Sequence, residues 1–187
     1  MKRRHLLPLL FSPISLPMAF ATEPAVIDSQ TLARKWRRTK SLVDPVVEVR
    51  KTTRKVRKGI TLEEEEVAVS VDADTETRFE NILFALDSDR LEGDVTKAQL
   101  QEIAKAMQAA GDETFLIEGH TCDLGSAEHN KELSQRRAEA VAMALETLGI
   151  NRKRLDAVGF GEEKRLTTAT DEAARAQNRR VQIYRKV

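Results

Sequence analysis

The spacing of apolar residues over positions 77–187 predicts elements in the order β-α-β-α-β-loop-β. Strands are predicted over 79–86, with Ile82 and Phe84 on one face, and over 114–120, 154–161 and 179–187. Helices are predicted from Asp94, read as the N-cap, to Ala110 and from Ser126 to Leu148, ended by Gly111 and Gly149. This alternation predicts an α/β fold, an α+β sandwich whose mixed sheet is covered by helices on one face.

Residues 22–76 differ in composition, with many charged and few apolar residues, and are predicted to be a charged N-terminal extension, partly structured or disordered. Eleven Lys and Arg lie between Arg34 and Lys58, against two acidic residues, and four glutamates follow at 63–66. A short basic helix with Trp36 on one side fits 29–40, and extended segments fit 46–71. The stretch 34–58 is either a solvated linker or a surface that binds envelope proteins or anionic surfaces by charge.

Residues 1–21 have the pattern of a signal peptide, with a basic start at Lys2, Arg3 and Arg4, an apolar run and a small-x-small end at Ala21. The apolar run contains three prolines and is shorter than the roughly 20 residues of a membrane span, so no transmembrane segment is expected after cleavage. Removing residues 1–21 changes the formal net charge from +1 to −2, because they hold three basic and no acidic residues. We expect an exported chain, with no nucleic-acid partner.

Arg137 lies on the apolar stripe of the second predicted helix, four residues from both Leu133 and Val141. A guanidinium near a core is unfavourable unless it is paired. Either Asp87 or Asp123 forms an internal ion pair with it, or it presents its fork to a ligand carboxylate. Periodicity alone favours the ion pair.

The loop before this helix supports the second alternative. Ser126 is the expected N-cap, and the backbone N–H groups around Thr121 to Gly125 favour an anion. Asn130 lies near the same loop. The simpler expectation is that its side chain hydrogen-bonds the loop backbone, and the alternative is that it contacts the ligand.

Cys122 is the only cysteine and has His120 and His129 nearby. If Cys122 were a nucleophile, it would need an activating base held in place by a third group. If it were a zinc ligand, the four ligands would be His120, Cys122, His129 and Asp123, whose spacing is irregular for a zinc site. A free, partly buried thiol most often packs as a small apolar residue. An intermolecular disulfide through Cys122 is a further alternative. The chain is therefore predicted to be no enzyme and to hold no metal or cofactor.

Several motifs occur together in order: Gly-His-Thr at 119–121, Asn-x-x-Leu-Ser-x-x-Arg-Ala at 130–138, Gly-Phe-Gly-Glu at 159–162 and Asn-Arg-Arg-Val at 178–181. With them the chain over 77–187 resembles the OmpA-like C-terminal domain family. The resemblance implies non-catalytic binding of peptidoglycan through the diamino acid of its stem peptide. It also implies that the helix arginine, here Arg137, takes the ligand carboxylate, and that an aspartate after the Gly-His-Thr turn takes the ammonium.

The aspartate position is Cys122 in this chain, and a neutral thiol cannot pair with an ammonium as a carboxylate does. Asp123 compensates only if the loop turns it inward. The predicted ligand-binding residues are Thr121, Cys122, Asp123, Gly125, Asn130 and Arg137. The resemblance therefore implies a peptidoglycan-binding envelope protein of a diderm bacterium, located in the periplasm and associated with the cell wall or outer membrane. The alternative is an interaction module that keeps the fold and has lost diamino-acid binding.

Overall fold

The computed structural model describes residues 25–37, 47–58 and 61–187. The expected signal peptide, residues 1–21, lies outside the described residues. The helices are α1 (Ser29–Trp36), α2 (Asp94–Ala109), α3 (Ala127–Thr147) and α4 (Glu172–Asn178). The strands are β1 (Val47–Lys58), β2 (Thr61–Asp72), β3 (Thr77–Phe79), β4 (Leu83–Phe84), β5 (Leu91–Glu92), β6 (Phe115–His120), β7 (Leu155–Gly161) and β8 (Val181–Arg185).

The main sheet has the strand order β3-β8-β6-β7 and is mixed, as expected. Strand β6 runs parallel to β7 and antiparallel to β8, and β3 pairs antiparallel with β8. Helices α2 and α3 bury their apolar stripes on one face of this sheet, where Ile103, Val141 and Leu145 are fully buried with Ile117 of β6. The predicted α/β class, with helices on one face, is confirmed.

Helix α3 lies close to the sheet because two strand positions facing it are glycines. A Cβ atom at Gly119 would lie 2.2 Å from the Ser134 carbonyl oxygen, and one at Gly159 would lie 2.3 Å from the Gln135 nitrogen. The Gly159 N–H group donates to Gln135 Oε1 at 2.7 Å across the same contact. These contacts fix the height of α3 over the sheet and thereby the position of its functional side chains.

The opposite face of the sheet is covered by the β1–β2 hairpin. Extended segments were predicted over 46–71, whereas their pairing and their position on the sheet were not. Val69 and Val71 of β2 are buried there against Leu116, Phe160 and Tyr184. Arg50 of β1 lies over the Tyr184 ring and places its Nε atom 3.3 Å from Glu118 Oε1. The alternation of valines indicates a strand, whereas only the tertiary structure shows which surface the strand covers.

Helix α1 packs against α2 and contributes to the same core as α3. Trp36 is fully buried, its ring centroid lies 5.3 Å from that of Phe115, and its Nε1–H group is 3.2 Å from the Thr75 carbonyl oxygen. Parts of 22–76 thus pack on 77–187, and the division of the chain into domains stays a prediction.

Four predicted elements differ in detail. The segment 79–86 is not one strand, because buried Asn81 bonds Gln99 of α2 and the chain leaves the main sheet before β4 pairs with β5. Helix α2 has Gly93 as its N-cap, with a φ of 85°, and Asp94 is its first residue. The basic helix ends at Trp36 rather than Lys40. The loop after β7 contains α4, which Asp171 caps through Ala174 N.

Candidate functional site

The loop between β6 and α3 is held in place by its own backbone and by the helix cap. Thr121 N donates to the Gly161 carbonyl oxygen at 2.9 Å, which ties the loop to the end of β7. Gly125 has a φ of 100°, and Ser126 Oγ accepts from His129 N at 3.2 Å. Ser126 is therefore the N-cap, as expected, and the loop opens toward the first turns of α3.

Arg137 of α3 is 7% exposed and is held over the ring of Phe84, with 4.9 Å from its guanidinium carbon to the ring centroid. Its Nε–H group donates to the Ser88 carbonyl oxygen at 2.9 Å. Within the described ranges the one hydrogen bond of this side chain uses Nε and none uses its two terminal nitrogens, and the side chain lines the groove next to the loop. Burial lowers the pKa of the guanidinium, and the charge of Arg179 acts in the same direction.

The internal ion pair expected for Arg137 does not form among the described residues. Asp87 Oδ1 lies 2.7 Å from His129 Nε2, and Asp123 Oδ1 lies 2.9 Å from Arg175 Nε. Each candidate carboxylate thus has another partner, and the interpretation of Arg137 as a structural ion pair is wrong. The sequence could not show this, because α4, which carries Arg175, was not predicted.

Cys122 is buried at the floor of the groove and is 6% exposed. Arg179 Nη1 lies 3.9 Å from its sulfur, a distance at which the thiol accepts a weak hydrogen bond. Neither His120 nor His129 hydrogen-bonds the thiol, since His120 is stacked on Phe160 and His129 contacts Asp87. The contacts of a Cys–His nucleophile are therefore missing at this thiol in the described part of the chain.

The same contacts separate the four residues considered for zinc. His120 Nε2 lies 3.4 Å from Glu118, and Asp123 turns toward α4. Within the residues that the structure describes, no group of three or more His, Cys, Asp and Glu side chains is arranged to hold a metal ion. The prediction that the chain needs no metal stays a prediction.

Asn130 connects the loop to β7 rather than leaving its amide free. Its Nδ2 group donates to the Cys122 carbonyl oxygen at 3.3 Å, as expected, and to Glu162 Oε2 at 2.8 Å. Its side chain is buried and still lines the groove. Asn130 therefore fixes the loop in front of Arg137 and presents its remaining polar surface to the groove.

The groove has a volume of about 570 Å³ and lies between the β6–α3 loop, the start of α3, the β4–β5 turn and α4. Five of the six predicted ligand-binding residues line it, namely Thr121, Cys122, Gly125, Asn130 and Arg137. Asp123 does not, because Arg175 holds its carboxylate and thereby lowers its pKa. Four titratable residues that line the groove were not among the predicted ligand-binding residues, namely Asp87, His129, Glu172 and Arg179.

The rim of the groove carries the acidic groups. The Asp87 side chain is 65% exposed and the Glu172 side chain is 72% exposed. Asp87 has a φ of 49°, a left-handed conformation that aspartate tolerates, and it belongs to the turn whose Ser88 carbonyl holds Arg137. The motif Asn-Arg-Arg-Val could have indicated Arg179, since it stands directly before the last strand.

None of the helices within residues 25–37, 47–58 and 61–187 is both long enough and apolar enough to cross a membrane.

The fold and the groove together define an α/β domain with a candidate carboxylate site. The fold is a mixed four-stranded sheet with helices on one face, and the groove contains a buried arginine with two nitrogens that are unpartnered among the described residues. The family model for the OmpA family matches residues 83–179, just over half of the chain. The chain belongs to the OmpA family.

Several relatives are named as peptidoglycan-associated or outer-membrane lipoproteins. The peptidoglycan-associated lipoprotein of Pseudomonas aeruginosa is 38% identical over 100 residues, which cover 54% of this chain and 58% of that protein. The match thus spans less than two thirds of that relative's length. The crystal structure of the peptidoglycan-associated lipoprotein from Burkholderia pseudomallei has a TM-score of 0.52 and 38% identity, covering 56% of this chain and 87% of that chain.

A third similar structure is the cell wall anchor of the T6SS from Pseudomonas aeruginosa, with a TM-score of 0.51 and 27% identity. It covers 64% of this chain and 81% of that chain. The predicted family and its fold are confirmed. The expected location at the envelope is supported by these relatives, which are named for the cell wall or as lipoproteins. The names of these relatives refer to association with peptidoglycan or to a cell wall anchor, and the absence of catalysis stays a prediction for this chain.

Proposed function

We propose that the protein is a non-catalytic peptidoglycan-binding envelope protein of a diderm bacterium, which attaches to the cell wall through a stem peptide. The observation that carries this proposal is Arg137, a buried residue that lines the groove and whose two terminal nitrogens have no hydrogen-bond partner among the described residues. Guanidinium forks bind carboxylates through two parallel hydrogen bonds. Similarity to two peptidoglycan-associated lipoproteins and a cell wall anchor supports peptidoglycan as the polymer.

The predicted site divides into residues that contact the ligand and residues that hold the loop. Arg137 holds a ligand carboxylate, assisted by backbone groups between Thr121 and Gly125 at the start of α3. Asn130 fixes the loop through the Cys122 carbonyl oxygen. Cys122 forms the neutral floor, and Asp123 acts outside the groove by joining the loop to Arg175 of α4.

The direct test is sedimentation of the purified protein with insoluble peptidoglycan. The wild-type protein should be retained, and Arg137→Ala should abolish retention. Arg136→Ala is the matched control, because Arg136 is the neighbouring arginine on α3 but is exposed and does not line the groove. Equal retention of Arg137→Ala and wild type would contradict the assignment of the site.

A second candidate function is a protein-interaction module that has lost the wall ligand. It is favoured by two observations: a thiol and not a carboxylate stands at Cys122, and Asp123 is held by Arg175. Co-purification of a stable envelope partner, together with no sedimentation on peptidoglycan, would favour this candidate.

A charge-based surface at 34–58 also stays a proposal. The register of the hairpin sets Arg54 and Lys55 opposite Glu65 and Glu64, so much of the basic strand runs beside acidic positions. Binding to anionic vesicles that disappears at high salt would support such a surface.

A further inference from the structure

Strand β1 is an edge strand of the β1–β2 hairpin. All 12 of its residues pair with β2 along one side. Along the other side, no backbone hydrogen bond joins residues 47–51 to any other described residue. The base of the strand therefore presents free N–H and C=O groups with which a further extended segment can pair.

The second edge of the hairpin is closed at its base by the end of the chain. Val187 N donates to the Ser70 carbonyl oxygen at 3.1 Å, and Lys186 forms a β-bridge with Val71. Of the two edges at the base of the hairpin, the β1 edge is thus the one that is open among the described residues.

The open edge is held in place before any partner arrives. The guanidinium carbon of Arg50 lies 4.6 Å from the centroid of the Tyr184 ring, and Arg50 Nη2 donates to the Tyr184 hydroxyl oxygen at 2.6 Å. Arg50 Nε also lies 3.3 Å from Glu118 Oε1 of the main sheet. A rigid edge lowers the entropy that binding costs, because only the incoming segment has to be ordered.

The sequence of β1, VEVRKTTRKVRK, suits the addition of a strand. It contains neither Pro nor Gly, and its valines and threonines favour extended structure. Val47 and Val49 alternate with Arg50, which packs on the main sheet, and both valines are exposed. An added strand would gain these two valines as neighbours on the outer face of the hairpin.

The charge of β1 decides which segments it accepts. Its only acidic residue is Glu48, and its basic residues are Arg50, Lys51, Arg54, Lys55, Arg57 and Lys58. Like charges on neighbouring strands are destabilising, so β1 of a second copy and other basic segments are rejected. On its paired side, the register sets β1 against the acidic run Glu63–Glu66 of β2. An acidic strand is the electrostatic complement on the open side as well.

We propose that β1 is a docking edge for an extended acidic segment of a partner protein, which adds to the hairpin as a third strand. The proposal goes beyond a surface that attracts anions by charge alone, because backbone pairing requires an extended peptide. It is also independent of the wall-binding groove, since the hairpin lies on the sheet face opposite α3, which carries Arg137.

The probe is a labelled peptide of about nine residues that alternates glutamate and valine, long enough to pair as a strand. One control has the same side chains with every backbone nitrogen methylated, so it keeps the charge and loses all N–H donors. A second control has lysine in place of glutamate. Fluorescence anisotropy should show binding of the glutamate peptide, and binding at least about tenfold weaker for each control.

A variant assigns the binding to the edge. Lys51 is exposed and stands opposite Ala68, so Lys51→Glu breaks no cross-strand charge pair within the hairpin. It should weaken binding of the glutamate peptide about threefold to tenfold, because an attraction becomes a repulsion. Lys97→Glu, on α2 at the other sheet face, is the matched control and should bind like wild type. Thermal unfolding checks the fold, and nuclear magnetic resonance should show peptide-induced shifts at the amides of residues 47–51.

The proposal is overturned if the methylated peptide binds as tightly as the unmodified one, which would mean a contact by charge alone. It is also overturned if Lys51→Glu binds like wild type, or if phosphatidylglycerol vesicles bind and the peptide does not. A dimer in analytical ultracentrifugation that Lys51→Glu dissociates would assign the edge to a second copy instead. Lys51→Glu should sediment with peptidoglycan like wild type, so the failure of this proposal and that of the proposed function are distinguishable.

Discussion

The Nε–H group of Arg137 donates to the carbonyl oxygen of Ser88 at 2.9 Å, so the turn between β4 and β5 orients the guanidinium through its Nε atom. This bond uses only Nε, so both terminal nitrogens of a side chain that lines the groove stay available to a ligand. A planar guanidinium can donate to Ser88 with one nitrogen and to a ligand with the other two, whereas a lysine has a single ammonium on a flexible stem.

Arg137→Lys should therefore lose most of the retention on peptidoglycan although it keeps the charge. Its free energy of unfolding should fall by no more than about 1–2 kcal/mol, since only one hydrogen bond is replaced. Sedimentation and urea denaturation measure the two effects, with Arg136→Lys as the control. Retention equal to that of wild type would show that charge alone, without the fork, is what binds.

Cys122→Asp should increase retention on peptidoglycan that contains a diamino acid, because it introduces a carboxylate at the floor of the groove. Cys122→Ala should behave like wild type, since the thiol contributes only a weak contact with Arg179. The bound fraction at limiting peptidoglycan measures the difference. If Cys122→Asp binds no better than Cys122→Ala, then residue 122 is not the position of the ligand ammonium.

Trp36→Ala should lower the free energy of unfolding by about 3–5 kcal/mol, because it removes a fully buried aromatic side chain from the common core. The substitution also removes the hydrogen bonds from the indole to Thr75 and Thr77. Arg34→Ala, an exposed change on the same helix, should have little effect. Urea denaturation tests both, and a stability equal to wild type would mean that α1 does not pack on the core in solution.

The buried imidazole of His120 should make stability depend on pH. Burial lowers the pKa of His120 below its ordinary value of 6.5, so the unfolded chain takes up a proton that the folded chain does not. The stabilisation is complete above pH 6.5 and is lost as the pH falls toward the folded-state pKa. Urea denaturation at pH 7.5 and at pH 5 measures the loss.

His120→Gln should remove part of this loss, while His129→Gln, at an exposed histidine, should retain it. The comparison concerns the change between the two pH values and not absolute stability, so a general destabilisation by His120→Gln does not affect it. The same loss in both variants would contradict the assignment to His120.

The sequence by itself determined the elements whose pattern is local. The apolar stripe of α3, its Ser126 cap and its terminal glycine predicted the helix within one residue at each end. The apolar runs of β6 and β7 predicted the central strands. The motifs around Cys122 and Arg137 indicated the family, and five of the six ligand-binding residues predicted from them line the groove. Local periodicity and capping depend on neighbours in the chain, which a sequence shows.

Only the tertiary structure decided the contacts between distant segments. It paired Asp123 with Arg175, which are 52 residues apart, and placed Arg179 against Cys122, 57 residues away. It also put the β1–β2 hairpin on the second sheet face and buried Trp36 in a core built from α2 and α3. Such pairings depend on which surfaces meet after folding. From the sequence alone Asp87 and Asp123 were equally suitable partners for Arg137, and only the tertiary structure shows that each of them pairs with another residue.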